Sequence, residues 1–491
     1  MASLEEIRET RLKKLKKLRD VGMDPYPAKT ARDFEISRLV AEFQDLQKEN
    51  RTVTIAGRVM ALRAQGKVAF ADLFDGSSVS AQTGKFQILL RKGDGISDED
   101  FDLFMETVDI GDFIETSGTL FVTKKEEKTL QVNRWKMLTK SLRPLPEKWH
   151  GLQDVEERYR KRYLDFVTNQ ELRELIVKKS QFWDVTRNFL KEKGFLEVET
   201  PTLEITTGGA EARPFQTHHN DFDLDVYLRI SVGELWQKRL MAGGFPKTFE
   251  IGRVYRNEGT SPEHLQEFTN MEFYWSYADY KDGMKLAEEL YKEIALKVFG
   301  KTEFEYNGHK FDLGGEWRII DYAEEIKKQT NIDINTADDQ TIKNKLNELR
   351  VDYKGANRER LLDTLWKYCR KNISGPAFLV GHPVLVAPLA KKVEGREVVQ
   401  EFQPIIAGSE VGRGYSELND PIDQRERFEV QGKLIEAGDE EAMMPDFEFV
   451  EMLEYGMPPT CGFGFGERLF AILAGKPLRD LQTFPLMRPK E

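Results

Sequence analysis

The stretch RVYRNEGTSPEHLQEFTNMEFYWSYADY, residues 253–280, reads as two strands joined by a long polar loop. Side chains in a strand alternate between its two faces with a period of two residues. One face of the second strand therefore carries polar and aromatic groups at the even positions, namely Phe268, Asn270, Glu272 and Tyr274. The opposite face is predicted to be core and carries the odd positions, namely Met271, Phe273, Trp275 and Tyr277. The pattern predicts an antiparallel hairpin with a functional surface on one side.

The incoming half of this hairpin adds charge to the same surface. Arg256 and Glu258 fall in one strand phase, and the loop beside them carries His264 and Glu267. An arginine, several carboxylates, an aromatic ring and a phenol then converge on one small area. This combination suits a pocket that binds an anionic nucleotide together with a cationic or polar small molecule.

Composition limits the classes of protein that this chain can form. Its 491 residues predict two or three domains with a substantial core. The net charge of −11 disfavours bulk electrostatic binding to nucleic acid, so such binding must use local basic patches. No apolar run approaches the roughly 18 residues of a membrane span, and the N-terminus MASLEEIRET lacks a secretory apolar region. The two cysteines, Cys369 and Cys461, are too few for a disulfide framework or a zinc site, and a cytoplasmic location is predicted.

Three regions follow one another along the chain. Residues 1–50 are predicted to form a basic amphipathic helix and a lead-in, 51–143 a small β-barrel, and 144–491 an α+β domain. The Pro-containing segment SLRPLPEKWHGLQD (141–154) marks the linker. Short strands separated by turn residues suggest a Greek-key barrel in the second region, and the OB-fold is the commonest nucleic-acid-binding barrel of this kind. The third region predicts a mostly antiparallel sheet flanked by helices, with a helical insertion at about 318–376.

The N-terminal helix is predicted over residues 3–20, where Ser3 and Glu6 match a capping box. Six basic side chains load this helix with positive charge: Arg11, Lys13, Lys14, Lys16, Lys17 and Arg19. Two interpretations stay open. The helix is either a solvated surface element or a contact for nucleic-acid phosphates, which Lys and Arg bind without reading sequence.

Three alternating glycines, Gly462, Gly464 and Gly466, lie on one face of a predicted strand and precede Arg468. Close strand packing explains such glycines, and so does a flat ligand that lies against bare backbone. The segment lacks the Gly-Lys-Ser/Thr ending of a P-loop and the strand–turn–helix context of a dinucleotide fingerprint. Together with Arg256, it predicts a phosphate site with cations at both ends.

Glutamates recur in strand phase with these residues. Glu234, Glu272 and Glu417 could receive a cationic ligand. Glu410 adds a Mg²⁺ ligand, since Mg²⁺ on substrate phosphates usually uses one or two carboxylates. Any one of them taken alone is more often a surface group, so the prediction depends on their common phase. No Ser/His/Asp or Cys/His nucleophile arrangement is evident in the sequence.

Six strings of sequence resemble the lysyl branch of the class II aminoacyl-tRNA synthetases, and the resemblance extends over nearly the whole chain. Three of them resemble class II motifs 1, 2 and 3 in that order: GFLEVETP (194–201), VYRNEG…HLQEFTNMEFY (254–274) and GMPPTCGFGFGERL (456–469). Three others resemble the lysyl subgroup: TGGAEARPF (207–215), YLRISVGELWQKRL (227–240) and GYSELNDPIDQRERF (414–428). The last of these discriminates most strongly between branches.

The resemblance implies an enzyme that ligates L-lysine to tRNA(Lys) through a lysyl-adenylate, with ATP as substrate. The ATP-binding residues that it implies are Arg256, Glu258, His264, Phe268, Arg468 and Glu410. The lysine-binding residues that it implies are Gly209, Glu234, Arg256, Glu272, Tyr274, Tyr415 and Glu417. Arg256 is the implied catalytic residue, because it stabilises the charge that develops as the lysine carboxylate attacks ATP. A carboxylate beside the lysine ε-ammonium supplies specificity, since an unpaired buried group is costly.

The resemblance also implies partners. Mg²⁺ is expected with ATP, held by Glu410 and Glu417, with Gln403 at a position where the family has a metal-binding glutamate. Four barrel residues are implied to contact the anticodon, Phe70 by stacking and Gln87 by hydrogen bonding: Arg58, Arg63, Phe70 and Gln87. Motif 1 at 194–201 and its preceding helix imply a homodimer, and no membrane partner is expected.

The chain departs from the family pattern at a few positions. Arg413 stands where asparagine is usual, in strand phase with Tyr415. Because like charges about 4 Å apart repel by about 4 kcal/mol at a dielectric of about 20, Arg413 must turn away from bound lysine or pair with an acid such as Glu410. Glu263 replaces a loop arginine, and Arg134 replaces an anticodon-reading glutamate. The motif 3 glycines also end one residue closer to Arg468 than is usual, which implies a shortened bend there.

Other functions are compatible with parts of this pattern. A related class II enzyme for aspartate or asparagine needs cations at the side-chain end of its pocket, and Arg413 is the one hint of these. A non-catalytic paralogue that binds nucleic acid is disfavoured by four retained residues: Arg256, Glu258, Phe268 and Arg468. An enzyme that attaches lysine to another protein is disfavoured by the barrel and the basic N-terminal helix, which favour tRNA.

Overall fold

The computed structural model describes residues 3–77, 84–146, 152–210, 212–259, 264–353, 357–384, 387–438 and 442–490. The chain divides into two compact units, residues 1–177 with 487–491, and residues 178–486. Glu263, the replaced loop arginine, lies outside the described residues, so its effect stays a prediction. The domain boundary expected at 143/144 also stays a prediction.

The first unit contains a β-barrel with helices before and after it. Its helices are α1 (Leu4–Asp20), α2 (Ile36–Ala41), α3 (Phe43–Lys48), α4 (Asp98–Thr107), α5 (Val155–Arg160), α6 (Arg162–Thr168) and the start of α7 (Gln170–Glu192). Its strands are β1 (Val53–Gln65), β2 (Val68–Phe74), β3 (Lys85–Lys92), β4 (Gly95–Ile96), β5 (Phe113–Val122) and β6 (Lys128–Thr139). The predicted short strands correspond to β1, β2, β3, β5 and β6, which confirms this part of the fold.

The strands of the first unit close on themselves. β1 pairs with β2 and β5, β3 pairs with β2 and β6, and β5 pairs with β6. Burial alternates along β2, where Ala69, Ala71 and Leu73 are buried and the residues between them are partly exposed. The alternation fills the barrel with apolar side chains and leaves the even-numbered residues of β2 on its outer surface.

Helix α1 divides its basic residues between the barrel and solvent. Ser3 and Glu6 form the predicted capping box. Arg11 is buried and donates to backbone carbonyls that flank the barrel strands, and Lys14 pairs with Asp109 at 2.6 Å. The exposed basic side chains of α1 are Arg8, Lys13, Lys16, Lys17 and Arg19, of which Lys17 pairs with Glu106. The solvated-surface interpretation is therefore wrong for Arg11 and Lys14, while phosphate contact stays a prediction for the exposed set.

The second unit is built on one large sheet. Its strands are β7 (Leu196–Glu197), β8 (Leu203–Glu204), β9 (Gln216–His219), β10 (Leu224–Leu228), β11 (Lys247–Tyr255), β12 (Glu267–Ser276), β13 (Glu303–Tyr306), β14 (His309–Asp312), β15 (Arg318–Asp321), β16 (Ala377–Val380), β17 (Glu401–Ile406), β18 (Ser409–Glu410), β19 (Arg413–Ser416) and β20 (Thr460–Gly466). Its helices are α8 (Glu234–Ala242), α9 (Tyr280–Ile294), α10 (Tyr322–Thr330), α11 (Asp339–Glu348), α12 (Arg358–Arg370), α13 (Pro421–Glu436), α14 (Phe447–Tyr455) and α15 (Glu467–Ala474). A π-helical turn, Ala295–Phe299, follows α9, and a 3-10 turn, Leu478–Leu481, follows α15.

The large sheet has the strand order β15-β16-β17-β19-β20-β12-β11-β7, with β18 beside β17. Among its described strands, the β15–β16 and β7–β11 pairs are parallel and the others are antiparallel. One face packs on α9, where the ring of Tyr291 lies with its centroid 5.3 Å from that of Phe465 on β20. This confirms the predicted α+β sheet. The region predicted as a helical insertion contains α10, α11 and α12, but its first residues form the edge strand β15.

None of the helices in the described residues combines the length and the apolar character that crossing a membrane requires. Cys369 and Cys461 are both buried free thiols.

Candidate active site

A pocket of about 390 Å³ opens on the face of the large sheet that β12, β19 and β20 share. The residues implied to bind ATP, lysine or metal all line this pocket: Gly209, Glu234, Arg256, Glu258, His264, Phe268, Glu272, Tyr274, Gln403, Glu410, Tyr415, Glu417 and Arg468. These residues are distributed over more than 250 positions of sequence, and the sheet brings them together. The structure thus gives one place for the predicted chemistry, while each residue's role stays a prediction.

The hairpin of β11 and β12 is antiparallel, with Tyr255 opposite Glu267. The predicted functional face lines the pocket with Phe268, Asn270, Glu272 and Tyr274. On the other face Met271 and Phe273 are fully buried, as predicted. Tyr277 is 81% exposed, so its assignment to the core is wrong. The strand ends at Ser276 and Tyr277 has a φ of 63°, so the two-residue alternation no longer applies to it.

The alternating glycines of β20 make room for the protein's own side chains. A Cβ on Gly462 would lie 2.1 Å from Oε1 of Glu417, and one on Gly464 would lie 2.7 Å from Cγ of Glu272. A Cβ on Gly466 would lie 2.5 Å from Oδ1 of Asn270. Close packing with carboxylate side chains therefore explains Gly462 and Gly464, and because both glycines also line the pocket, a flat ligand against their backbone stays a prediction.

Glu234 and Glu417 have an ion-pair partner within the protein. Lys238 follows Glu234 by one turn of α8, and its Nζ lies 2.8 Å from Glu234 Oε1 and 2.5 Å from Glu417 Oε2. All three side chains are buried. Tyr415 also donates its hydroxyl to Glu234 Oε1. Burial alone would lower the pKa of Lys238, but the two carboxylates raise it above its ordinary value, so the ammonium stays charged.

Glu272 is the third carboxylate of this cluster. It accepts hydrogen bonds from the backbone N–H of Val232 at 2.8 Å and from the hydroxyl of Tyr274 at 3.1 Å. Burial and then the charge of Glu234 raise the pKa of Glu272. Burial also raises the pKa of Glu417, although Lys238 acts in the opposite direction. Carboxylates whose ionised form is disfavoured in this way are stabilised by a cation, so the cluster suits a ligand that carries an ammonium group.

Arg256 lies at the edge of the carboxylate cluster. Its guanidinium is 5.3 Å from the centroid of the Phe268 ring, and its Nε and Nη2 donate to the carbonyl of Ile230 at 3.4 Å each. Burial lowers the pKa of Arg256, while Glu258 and Glu272 oppose that effect. A guanidinium stays protonated in proteins, so Arg256 presents a shielded positive charge suited to an anion.

Arg413 pairs with an acid, but not with Glu410. Its Nε lies 2.8 Å from Glu401 Oε1 and its Nη2 lies 3.1 Å from Glu401 Oε2, a two-contact geometry. Glu401 is fully buried, and Gln403 donates to the same Oε1 at 3.1 Å. Arg413 binds strongly in this arrangement because the fork of a guanidinium matches a carboxylate. The sequence prediction of a pairing acid is therefore right in kind, and Glu401 takes the place that was given to Glu410.

Two of the expected metal ligands fit a hard cation. The amide of Gln403 is oriented by its N–H bond to Glu401, and its buried Oε1 has no hydrogen-bond partner among the described residues. Glu410 uses Oε1 for the indole N–H of Trp366 at 2.9 Å, and its side chain is 29% exposed. Carbonyl and carboxylate oxygens of this kind are Mg²⁺ ligands. Glu417 does not fit as well, because Lys238 binds one of its oxygens, and the described residues contain no cluster of three acidic, His or Cys ligands.

The predicted shortened bend lies at the end of β20. Gly466 is both the last residue of the strand and the N-cap of α15, so no loop separates the two elements. Glu467 is buried and accepts from the backbone N–H of Thr269 at 3.0 Å. It also pairs with Lys179 at 2.7 Å. These bonds hold the start of α15, and Arg468 with it, against β12.

The implied anticodon residues lie on the outer surface of the barrel. Arg63 is opposite Phe70 in the β1–β2 ladder, and its Nη2 is 3.4 Å from Gln87 Oε1. Arg58 is opposite Phe74, four residues further along β2 from Phe70. At about 3.3 Å per residue this is about 13 Å away. The structure therefore brings Arg63, Phe70 and Gln87 together and leaves Arg58 apart from them.

Sequence reasoning did not identify two residues of the pocket region. Lys238 has a local signal, because residues four apart on a helix share one face, which places it beside Glu234. Glu401 has no such signal, since its partner Arg413 is on another strand and only the sheet joins them. Asn270 was recognised for its strand phase but received no role, although it also lines the pocket.

Comparison with known proteins places both units. A family profile described as tRNA synthetases class II (D, K and N) matches residues 154–488, and one described as OB-fold nucleic acid binding domain matches residues 53–138. A curated lysine–tRNA ligase of Roseiflexus sp. (strain RS-1) is 43% identical over 495 residues, which cover 99% of this chain and 100% of the relative. The lysine–tRNA ligase of Thermotoga maritima is 43% identical, covering 99% and 97% of the two chains. That of Bacillus subtilis (strain 168) is 42% identical, covering 98% and 97%.

Proposed function

The chain belongs to the lysine–tRNA ligases, within the class II tRNA synthetases of the D, K and N group, and from this premise we propose how its pocket works. The protein ligates L-lysine to tRNA(Lys) in two steps that consume ATP. One observation carries the proposal for the pocket: three buried glutamates, Glu234, Glu272 and Glu417, surround a space that Arg256 borders on one side.

The two parts of the pocket suit the two small substrates. The carboxylate cluster with Tyr274 and Tyr415 receives the amino groups of lysine, and Gly209 lies beside Glu234 at the same end. Phe268 offers a ring for the adenine, with Arg468 on the other side and Glu258 at the edge of the base. His264 contacts the phosphate tail.

Arg256 stands where these two parts meet. In the first step the lysine carboxylate oxygen attacks the α-phosphorus of ATP, a P–O bond forms, and pyrophosphate leaves with the electrons of the broken P–O bond. Arg256 binds both the carboxylate and the α-phosphate, and stabilises the negative charge that builds up on the phosphorus oxygens. In the second step a ribose hydroxyl at the tRNA 3′ end attacks the lysyl carbonyl, and AMP leaves. No covalent bond to the protein is required.

Mg²⁺ accompanies ATP in this proposal. Gln403 would hold it through Oε1, which has no hydrogen-bond partner in the part of the chain that the structure describes, and Glu410 would hold it through its carboxylate. Bound there, the ion supplies positive charge to the phosphates of ATP. Gln403 is neutral where the family has an acid, so this chain presents one negative charge fewer to the metal than the family pattern does.

The outer face of the barrel is the proposed anticodon contact. Phe70 is partly exposed there, and a base stacked on its ring is stabilised by about 1–3 kcal/mol. Arg63 and Gln87 lie beside it and supply charge and hydrogen bonds. Arg58, whose guanidinium packs over the Phe113 ring at 4.2 Å, would contact the backbone further along.

We also propose a homodimer and a cytoplasmic location. Near motif 1, three apolar side chains are half or more exposed, as expected of a surface that a second copy covers: Leu196, Leu203 and Ile205. The two buried free thiols, Cys369 and Cys461, are compatible with a reducing compartment.

Pyrophosphate exchange with purified protein and each amino acid in turn tests the proposed function. We expect exchange with L-lysine above all other amino acids. Better exchange with aspartate or asparagine would show the related class II activity instead, which the three buried glutamates disfavour. A lack of exchange with every amino acid, together with retained tRNA binding, would identify a non-catalytic paralogue. Formation of lysyl-protein without lysyl-tRNA would identify the protein-modifying enzyme.

A further inference from the structure

Lys238 is a buried cation among the carboxylates that are proposed to bind the ammonium groups of lysine. Its side chain is 1% exposed, and its Nζ sits between Glu234 and Glu417 with the Tyr415 and Tyr274 rings at 5.5 and 5.9 Å. The ion pairs do not use all the carboxylate oxygens. Each glutamate contacts Lys238 through one oxygen, Oε1 of Glu234 and Oε2 of Glu417.

The second oxygen of each glutamate lies against a glycine. Oε2 of Glu234 lies 2.7 Å from the point where a Cβ on Gly209 would be, and Oε1 of Glu417 lies 2.1 Å from the corresponding point at Gly462. Both glycines line the pocket. One ammonium therefore holds two carboxylates in orientations that leave one oxygen of each beside a glycine that lines the pocket.

The two carboxylates do not depend on Lys238 equally. Glu234 Oε1 also accepts the hydroxyl of Tyr415, so its orientation has a second support. Among the described residues, Glu417 has one ion-pair partner, which is Lys238. Removal of Lys238 should therefore release Glu417 first.

We propose that Lys238 is a positioning residue for lysine recognition: it fixes the Glu417 carboxylate so that Oε1 faces the ligand ammonium, and it offsets one of the three buried negative charges. This inference depends on the proposed function, because it takes lysine as the ligand. The offset matters for specificity. With Lys238 in place, the three carboxylates and this ammonium carry a net charge of −2, which matches the two ammonium groups of a lysine ligand.

Substitution of Lys238 by methionine, which keeps an unbranched side chain and removes the charge, tests the inference. Binding of L-lysine and of ATP to the full-length protein is measured separately by calorimetry. We expect the Kd for lysine to rise at least 30-fold and the Kd for ATP to stay within twofold. A lysine Kd within threefold of the wild-type value would overturn the inference, as would an equal loss of ATP binding, which indicates a general structural role.

Lys140→Met is the matched control. Lys140 in the barrel unit is also fully buried and also bridges two carboxylates, Asp109 at 2.5 Å and Asp112 at 2.7 Å. Its loss carries the same kind of structural cost without touching the pocket. We expect Lys140→Met to lower the thermal midpoint while leaving the Kd for lysine within twofold, and a comparable loss of lysine binding in this control would contradict the proposal.

A second comparison keeps the test decisive if Lys238→Met does not fold. The Glu417→Gln/Lys238→Met double variant removes the ion pair as a unit, which proteins tolerate better than an unpaired buried charge. If Lys238 acts through Glu417, the double variant should bind lysine within threefold of Glu417→Gln alone. A further tenfold loss would show that Lys238 acts elsewhere. Lysine-dependent exchange by the wild-type protein is measured alongside, since its absence would refute the proposed function rather than the role of Lys238.

Discussion

Arg413 on β19 and Glu401 on β17 form a two-contact ion pair, with distances of 2.8 and 3.1 Å, between neighbouring strands of the sheet beneath the pocket. The pair explains how the site can have arginine at position 413, where the family usually has asparagine. An arginine in phase with Tyr415 would repel a bound ammonium, but the carboxylate of Glu401 holds the guanidinium and offsets its charge. The two residues function as a unit, and changes to one of them should be judged against changes to both.

Arg413→Asn should destabilise the protein more than the Arg413→Asn/Glu401→Gln double variant. The single change leaves the fully buried Glu401 without its principal counter-charge. Loss of a buried partner costs about 3–5 kcal/mol, and the 40% exposure of Arg413 reduces the expected effect to about 2–3 kcal/mol. Urea denaturation measures the difference. Equal free energies of unfolding for the single and double variants would show that the pair is not coupled.

Arg256→Ala should abolish adenylate formation. The guanidinium borders both parts of the pocket, and loss of one preorganised charge-stabilising group costs about 10²–10³-fold in rate. Lysine-dependent pyrophosphate exchange is the measurement. The outcome that contradicts this role is a variant that keeps more than a tenth of the wild-type exchange rate.

Phe70→Ala should weaken tRNA charging and leave lysine activation unchanged. The ring lies on the barrel surface in the first unit and does not belong to the residues that line the pocket. Loss of one stacked base costs about 1–3 kcal/mol, so the KM for tRNA should rise about 5- to 100-fold. Exchange and aminoacylation are assayed on the same preparation, and equal losses in both would refute the separation of roles between Phe70 and Arg256.

Gly464→Ala should impair lysine binding by displacing Glu272. The added Cβ would lie 2.7 Å from Cγ of Glu272, well inside van der Waals contact. We expect the KM for lysine to rise about tenfold or more, because Glu272 must rotate out of its bond with the Val232 N–H. Gly432→Ala in α13 is the control. Its Cβ would meet Pro445 at an ordinary 3.5 Å, so activity should be unchanged and helix stability should rise slightly.

Glu204→Gln should remove a pH dependence of stability. Burial raises the pKa of Glu204 to about 7 from an ordinary 4.5. The folded state therefore keeps a proton that the unfolded state releases, and stability falls as pH rises from 4.5 to 7 by about 1.4 kcal/mol per unit. Between pH 5.5 and 8 the variant should gain about 2 kcal/mol relative to wild type in denaturation experiments. A difference that is independent of pH would show that Glu204 ionises normally in the folded protein.

The fold was predictable to the extent that its signals are local. Alternation along 268–274 identified both faces of β12, because the period of a strand depends only on backbone geometry. The same rule failed at Tyr277, where a positive φ ends the strand, and no residue type in the sequence marks that point. The capping box of α1 was equally local, whereas the division of its basic residues between barrel and solvent depended on which side of the helix Asp109 approaches.

The site was predictable in its membership but not in its pairings. Motif strings and strand phase identified the residues that line the pocket, including three glutamates far apart in sequence. They did not show that Lys238 already binds two of these glutamates, or that Glu401 rather than Glu410 holds Arg413. The alternating glycines suggested an open surface, and the packing of neighbouring strands assigned that space to Glu417 and Glu272.

The sequence by itself determined the two-part architecture, the hairpin of β11 and β12, and the kind of charge that the pocket carries, since period and composition are properties of the chain alone. The tertiary structure decided which charges neutralise one another. Ion pairs form at about 3 Å and depend on which segments become neighbours, so the pairing of Arg413 with Glu401, and of Lys238 with Glu417, exists only once the fold has brought distant segments together.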